Sequence, residues 1–216
     1  MYFGLDQMST GRIWMSRVMV DSTLTKAFRP DEAICSSEKI IDTQKRNLAG
    51  EPLSEKFFPT ELHGKYHDYV FTNNLPDIFT AGPYWIVSES LADVFRQFDL
   101  GEGALYPVKV LQHDRKTPVE GTYFHLNFGN IKDAFLPEHS LKPRKIYSHS
   151  DIWRVPGVPK DGDVAVRATA LKGADIWLDP KLRGGLFLSD RLVQALREAK
   201  LTRRFGLSRC KVMHDN

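Results

Sequence analysis

Residues 86–100 read IVSESLADVFRQFDL, and residues 187–201 read FLSDRLVQALREAKL. Aligned 101 positions apart, Ser88 meets Ser189, Leu91 meets Leu192, Arg96 meets Arg197 and Leu100 meets Leu201, with Glu89 opposite Asp190. Each stretch begins in a short apolar run, Trp85-Ile86-Val87 or Leu186-Phe187-Leu188, which suits the end of a buried strand. The serine that follows stands where a helix cap belongs, its side-chain oxygen available to the free N–H groups of the first turn. The acid beside it places negative charge against the positive helix end. Apolar residues then recur at i, i+3, i+4 and i+7: Leu91, Val94, Phe95 and Phe98 in one stretch, Leu192, Ala195, Leu196 and Ala199 in the other. Gly101 is placed to end the first helix in a left-handed cap. With one inserted residue, 107–110 (PVKV) meets 209–212 (RCKV) as a returning strand. The repeated unit is therefore strand, capped helix, strand, over 86–110 and 187–212. Ser-acid-x-Leu is a common helix start, so the whole unit carries the correspondence, not the four letters. One continuous sheet or two separate halves would both accommodate it.

The flanking chain is richer in strands than in helices. Residues 13–20 (IWMSRVMV) read as a strand. Pro30-Asp31-Glu32 reads as the opening of a short helix through Cys35, and 42–66 as polar loop. Turn signals crowd 68–83: Asn73-Asn74, Pro76 and Gly82-Pro83. Residues 122–128 (TYFHLNF) alternate, with Thr122, Phe124, Leu126 and Phe128 on one face, the pattern of a half-buried strand. Residues 137–145 form a polar loop, and 164–169 (VAVRAT) alternate again. Asp151-Ile152-Trp153 and Asp175-Ile176-Trp177 repeat a tripeptide, each expected on a strand. The four tryptophans, Trp14, Trp85, Trp153 and Trp177, flank apolar runs and are expected to anchor the core. This pattern predicts an α+β fold, with a mixed or antiparallel sheet containing two similar strand–helix–strand units. An N-terminal segment of strands and loops, 1–83, is expected to pack on a main body, 84–216, in one compact domain.

At 216 residues, 42% hydrophobic and 26% charged, the composition is that of an ordinary globular protein. No apolar run approaches the ~20 residues that cross a bilayer, so no membrane association is expected. The first residues lack the basic start and apolar core of a secretory signal. Two cysteines, Cys35 and Cys210, are too few for a disulfide framework and too isolated for a zinc site, which points to a reduced, cytoplasmic compartment. The net charge is +3, unevenly spread: from Lys181 onward nine Lys/Arg face three Asp/Glu, a net +6, so the first 180 residues carry −3. A nucleic-acid binder would use that tail; a helix with a solvated basic face accounts for it equally, and no run of aromatics accompanies it to stack bases.

No constellation selects a chemistry. His63 and His67 stand at i and i+4, which on a helix would share a face and could share a metal, but the position after His63 is Gly64 where a zinc protease needs Glu. His113-Asp114 and His214-Asp215 are adjacent, and neighbours on a strand point to opposite faces. There is no G-x-S-x-G elbow. Gly184-Gly185 precedes a strand, not the helix N-terminus that a phosphate cradle requires. No catalytic residue, metal or cofactor is expected.

A strand running into Ser-Glu-x-Leu, a helix and a Val-rich strand; a Tyr-Phe-x-Leu-Asn strand (Tyr123 to Asn127); an Asp-Ile-Trp strand (175–177); and a second Ser-Asp-Arg-Leu helix: in that order the chain resembles the bacterial polymorphic-toxin immunity proteins of immunity protein family 11. The resemblance covers about residues 84–212, and its motifs are structural. It implies a cytoplasmic, non-enzymatic protein that neutralises a cognate toxin by covering its active site or substrate entrance. Candidate contacts are the turn Asp114-Arg115-Lys116 and, in the polar loop, Glu138, His139, Lys142 and Arg144. The alternatives are a metal-dependent enzyme using His63 and His67, and a nucleic-acid binder using the basic C-terminal face.

Overall fold

The structure, a computed structural model, describes residues 11–30, 36–67 and 75–214. In chain order it runs β1 (Ile13–Ser16), α1 (Ser22–Ala27), β2 (Phe28–Pro30), α2 (Ser37–Leu48), β3 (Glu61–Gly64), β4 (Ile78–Ala81), β5 (Tyr84–Ser88), α3 (Glu89–Phe95), β6 (Ala104–Leu111) and β7 (Tyr123–Asn127). There follow β8 (Arg144–Lys145), β9 (Trp153–Arg154), β10 (Ala165–Arg167), β11 (Ile176–Leu178), β12 (Leu186–Ser189), α4 (Asp190–Glu198), β13 (Leu207–Arg209) and β14 (Lys211–Met213). A six-stranded sheet has the order β2-β3-β6-β7-β5-β4, and a four-stranded sheet the order β11-β12-β1-β13. All neighbours in both are antiparallel except β3 and β6. The fold is α+β with mixed and antiparallel sheets.

The repeat is real, and its halves build separate sheets. β4-β5-β7-β6 and β11-β12-β1-β13 share strand order and strand directions. In each, a hairpin leads into a helix, and the chain returns on the far side of a central antiparallel strand. The registers match position by position: Phe124 on β7 pairs with Val87 and Pro107, and Trp14 on β1 pairs with Leu188 and Arg209. These are the correspondences expected from the sequence. The central strand comes from after the unit in one half and from the chain's beginning in the other.

Local chemistry repeats too. Ser88 caps α3, its Oγ accepting from Leu91 N, while its hydroxyl donates to Asp77 at 2.9 Å. Ser189 caps α4 through Leu192 N and donates to Asp175. Committing the serine proton to the carboxylate leaves the oxygen lone pairs for the helix end. The partner of Asp175-Ile176-Trp177 is thus Asp77-Ile78-Phe79; the other Asp-Ile-Trp, at 151–153, lies outside the duplicated units. Arg96 lies 4.5 Å over the Phe124 ring and Arg197 lies 4.3 Å over the Trp14 ring, one cation–π pair per half.

α3 and α4 meet in a shared core of Leu91, Phe95, Leu192, Val193 and Leu196, walled by Val87 and Leu126 from one sheet and Trp14 and Leu188 from the other. Fully buried Phe95 and Leu196 each contribute about 1.5–3 kcal/mol. The stripe of α4 differs from expectation: Val193 is buried and Ala199 exposed, because the last turn projects beyond the core. α3 ends at Phe95, and Gly101 takes its positive φ of 54° in the turn that follows instead of capping the helix. Trp14 and Trp177 are buried, whereas Trp85 and Trp153 are only partly so.

Three further expectations change. The strand expected over 13–20 stops at Ser16. The polar stretch 42–66 contains most of α2, a 3-10 turn at Glu55–Phe57 and β3. Pro30 ends β2, and the rest of the helix expected through Cys35 lies outside the described residues, as does much of the turn-rich stretch after 67. Finally, β7 is covered on both faces: Leu126 and Phe128 join the helix core, while Tyr123 joins a second core with Leu53, Phe58 and Phe79.

His125 on β7 is consequently enclosed, its ring 5.2 Å from Phe58 and 5.1 Å from Tyr84. Its Nε2–H donates to the Pro59 carbonyl at 2.8 Å. Burial drives its pKa down to about 4. An unfolded histidine titrates near 6.5, so between about pH 6.5 and 4 the unfolded chain holds a proton that the folded chain does not. Stability therefore falls as pH drops through that window, by roughly 3 kcal/mol from this group. The equivalent place in the other sheet is occupied by Met15. The variant His125→Met is expected to lose that much less stability than the parent between pH 6.5 and 4. Parallel curves in urea titrations at the two pH values would contradict the assignment.

Candidate partner-binding surface

The largest concavity is a groove of about 460 Å³ between α2 and the β3–β6 side of the six-stranded sheet. Its floor is apolar: Pro30, Phe58, Pro59 and Leu111, with His63 beside them. Its charged residues are Lys39, Lys56 and Arg115 against Glu55 and Glu61. Local rules place each of these. Ser36 caps α2 by accepting from Lys39 N, which fixes where Lys39 leaves the first turn. Thr43 Oγ1 donates to the Phe57 carbonyl, pinning the 3-10 turn that carries Glu55 and Lys56 to the helix. Tyr106 OH donates to the Leu53 carbonyl at 2.6 Å and holds the incoming chain against β6. Glu61 faces Lys109 across the parallel β3–β6 pair, 3.3 Å away and exposed.

Of the residues singled out in sequence, only Arg115 reaches this groove. It sits at φ 58° in the turn after β6. Asp114 shapes that turn: its carboxylate accepts from Thr117 Oγ1, Thr117 N and Lys116 N. These bonds, the Thr117 hydroxyl foremost, hold its pKa down to about 2. Lys116 is exposed beside them. Glu138 and His139 lie on a 3-10 turn, Lys142 takes φ 48°, and Arg144 pairs with Arg154 between β8 and β9. This second group is exposed and is tied to the β10 side of the molecule through Leu141 N to Asp163 O and Ala165 N to Ser140 Oγ. The two groups therefore sit on different parts of the fold. Lys39, Glu55, Lys56, Phe58 and Glu61 escaped the sequence reading. The available signal was the bracket around α2: Ser36 as cap, Glu38 in the first turn, Lys45 and Arg46 in the last, and Gly50 at φ 74° beyond it.

His63 lies on β3, so the helical spacing that would bring His67 alongside it is not realised; His67 instead stacks on His113, ring centroids 3.6 Å apart. Among the described residues no group of three or more His, Cys, Asp or Glu could hold a metal ion. A second cavity, about 230 Å³, is lined by Arg12, Lys132, Asp175, Asp190 and Arg191. Its charges are engaged internally. Arg191 grips buried Asp175 through Nε and Nη2, both at 2.6 Å. Lys132 donates to the carbonyls of Ala170 and Ala174 and lies 3.8 Å from the Trp177 ring centroid, where burial lowers its pKa to about 8. Asp190 accepts from Trp14 Nε1 at 2.7 Å. In the basic tail, Arg191 and Arg197 are likewise committed, to Asp175 and to the Trp14 ring. No helix among the described residues is long and apolar enough to cross a membrane.

The sequence profile described as Immunity protein family (Imm11) matches residues 16–205. The chain belongs to the Imm11 immunity protein family. None of the curated proteins searched matches it. Membership implies a toxin as partner and toxin neutralisation as the role. The match extends well before the 84–212 stretch that carried the resemblance. The fold supplies the reason: in this Imm11 protein β1, close to the chain start, is the central strand between β12 and β13.

Proposed function

We propose that this immunity-family protein binds a cognate toxin and holds it inactive by covering its active site or the entrance its substrate uses. The observation that carries the reading is the family match over 16–205. The mechanism is binding, with no bond made or broken by this chain, and it operates in the cytoplasm, where a self-directed toxin would act. An interface of standard size, ~1,600 Å² in total, suffices, with a few aromatic or arginine anchors supplying most of the affinity. The turn Asp114-Arg115-Lys116 and the loop residues Glu138, His139, Lys142 and Arg144 are candidate contacts, being polar, exposed and held by local hydrogen bonds. Pre-ordered loops lose little entropy on docking.

The test is co-expression with the toxin encoded beside this chain. Growth is expected to be restored, and the two proteins to co-purify. If the neighbouring toxin is neither bound nor silenced, the reading fails.

A further inference from the structure

We infer that the α2–β3 groove is the surface that captures the toxin, and that its occupant is an acidic segment carrying one apolar side chain. This rests on the toxin-neutralising reading above.

Three features define the occupant. First, the floor is apolar and firmly held: Phe58 and Pro30 are buried, and Phe58 packs on Tyr84 and Tyr106, with centroids 6.2 and 5.2 Å away. A floor that does not have to reorganise can accept one apolar anchor at little entropic cost. Secondly, the cations Lys39, Lys56 and Arg115 are all exposed and come from three separate parts of the chain, so they surround the floor instead of lining one side. Thirdly, the opposing carboxylates are Glu55 and Glu61, and Glu61 already faces Lys109. The rim is therefore net positive, in a chain of net charge +3.

Complementary charge accelerates encounter, and like charge facing like charge is penalised by several kcal/mol. An acidic segment satisfies this rim. A surface built to hold a polyanion such as nucleic acid would present its own cations to Lys39, Lys56 and Arg115 and be repelled. The part of the toxin covered by this groove is therefore not a nucleic-acid-binding site.

The experiment uses the full chain and the catalytic domain of the toxin encoded beside it, with association and dissociation rates measured at 50, 150 and 500 mM NaCl. Association is expected to slow as salt rises. The variant K39E/K56E/R115E is expected to lose roughly a hundredfold in affinity, mainly in association rate, while K39Q/K56Q/R115Q falls between. All three positions are exposed, so thermal midpoints should match the parent; if the reversed-charge variant does not fold, the neutral variant decides. Equal affinities for parent and variants, or binding that strengthens with salt, would overturn the groove assignment and leave toxin neutralisation standing. No binding by the parent, together with no rescue of growth, would overturn both.

Discussion

Alanine at position 47 is expected to lower the free energy of unfolding by about 4 kcal/mol. Asn47 is 3% exposed and lies on the inner face of α2. Its Nδ2 donates to the Leu126 carbonyl at 3.0 Å, and its Oδ1 accepts from Asn127 Nδ2 and Phe128 N, both at 2.9 Å. Asn127 in turn donates to the Glu51 carbonyl and accepts from Leu53 N. The two amides fasten α2 and the segment after it to β7, in a place closed to water. Truncation strands the Phe128 N–H and one Asn127 donor, each at about 1–3 kcal/mol. Urea denaturation measures the loss, and the thermal midpoint should fall by roughly 8–16 °C for a chain of this size. A loss below about 1 kcal/mol would mean that water takes the place of the amide and that the network does not hold the helix.

Asp175→Ala is expected to cost about 3 kcal/mol, and Asp77→Ala, its equivalent in the other half, about 1 kcal/mol. Both carboxylates receive the cap serine of their own unit. Asp175 has further partners: both guanidinium contacts of Arg191, and the Asp99 N–H at 2.8 Å, which ties the loop after α3 to the second unit. The position matching Arg191 in the first unit is Ser90, which has no charge to offer. Removing a buried carboxylate from its cation usually costs about 3–5 kcal/mol; the Arg191 side chain is 45% exposed and can return to water, which places this case at the low end. Chemical denaturation of both variants decides it. Equal losses in the two halves would show that the additional partners of Asp175 contribute nothing.

The legible parts of this chain are those whose signals are short-range. Ser88 and Ser189, the acids after them and the stripes through Leu91–Phe95 and Leu192–Leu196 lie within one or two helical turns, and each appears where it was expected. α2 escaped because its pattern is inverted. Its buried positions are Thr43 and Asn47, while Ile41 and Leu48 are about half exposed. Hydrophobic periodicity finds helices that dock by apolar contact, and this one docks largely through amides. β7 was read as half-buried for a related reason: alternation reports side-chain polarity, but Tyr123, His125 and Asn127 go inside with their hydrogen bonds made to Glu120, Pro59 and Glu51. Of the candidate surface, Arg115 was legible as part of a polar turn. Its companions Lys39 and Lys56 were not, because nothing local relates residues 39, 56 and 115.

The amino-acid order by itself determined the two strand–cap–helix units and their return strands, because caps, charge at helix ends and 3.6-residue stripes act between residues close along the chain. Only the tertiary structure decided that the units form separate sheets, that β1 supplies the central strand of the second and β7 that of the first, and that Lys39, Lys56 and Arg115 surround one groove. Those outcomes depend on which distant segments exclude water from one another. That is a property of the assembled core and of buried polar partners such as Asn47 and Asp175, with no signature in any short stretch.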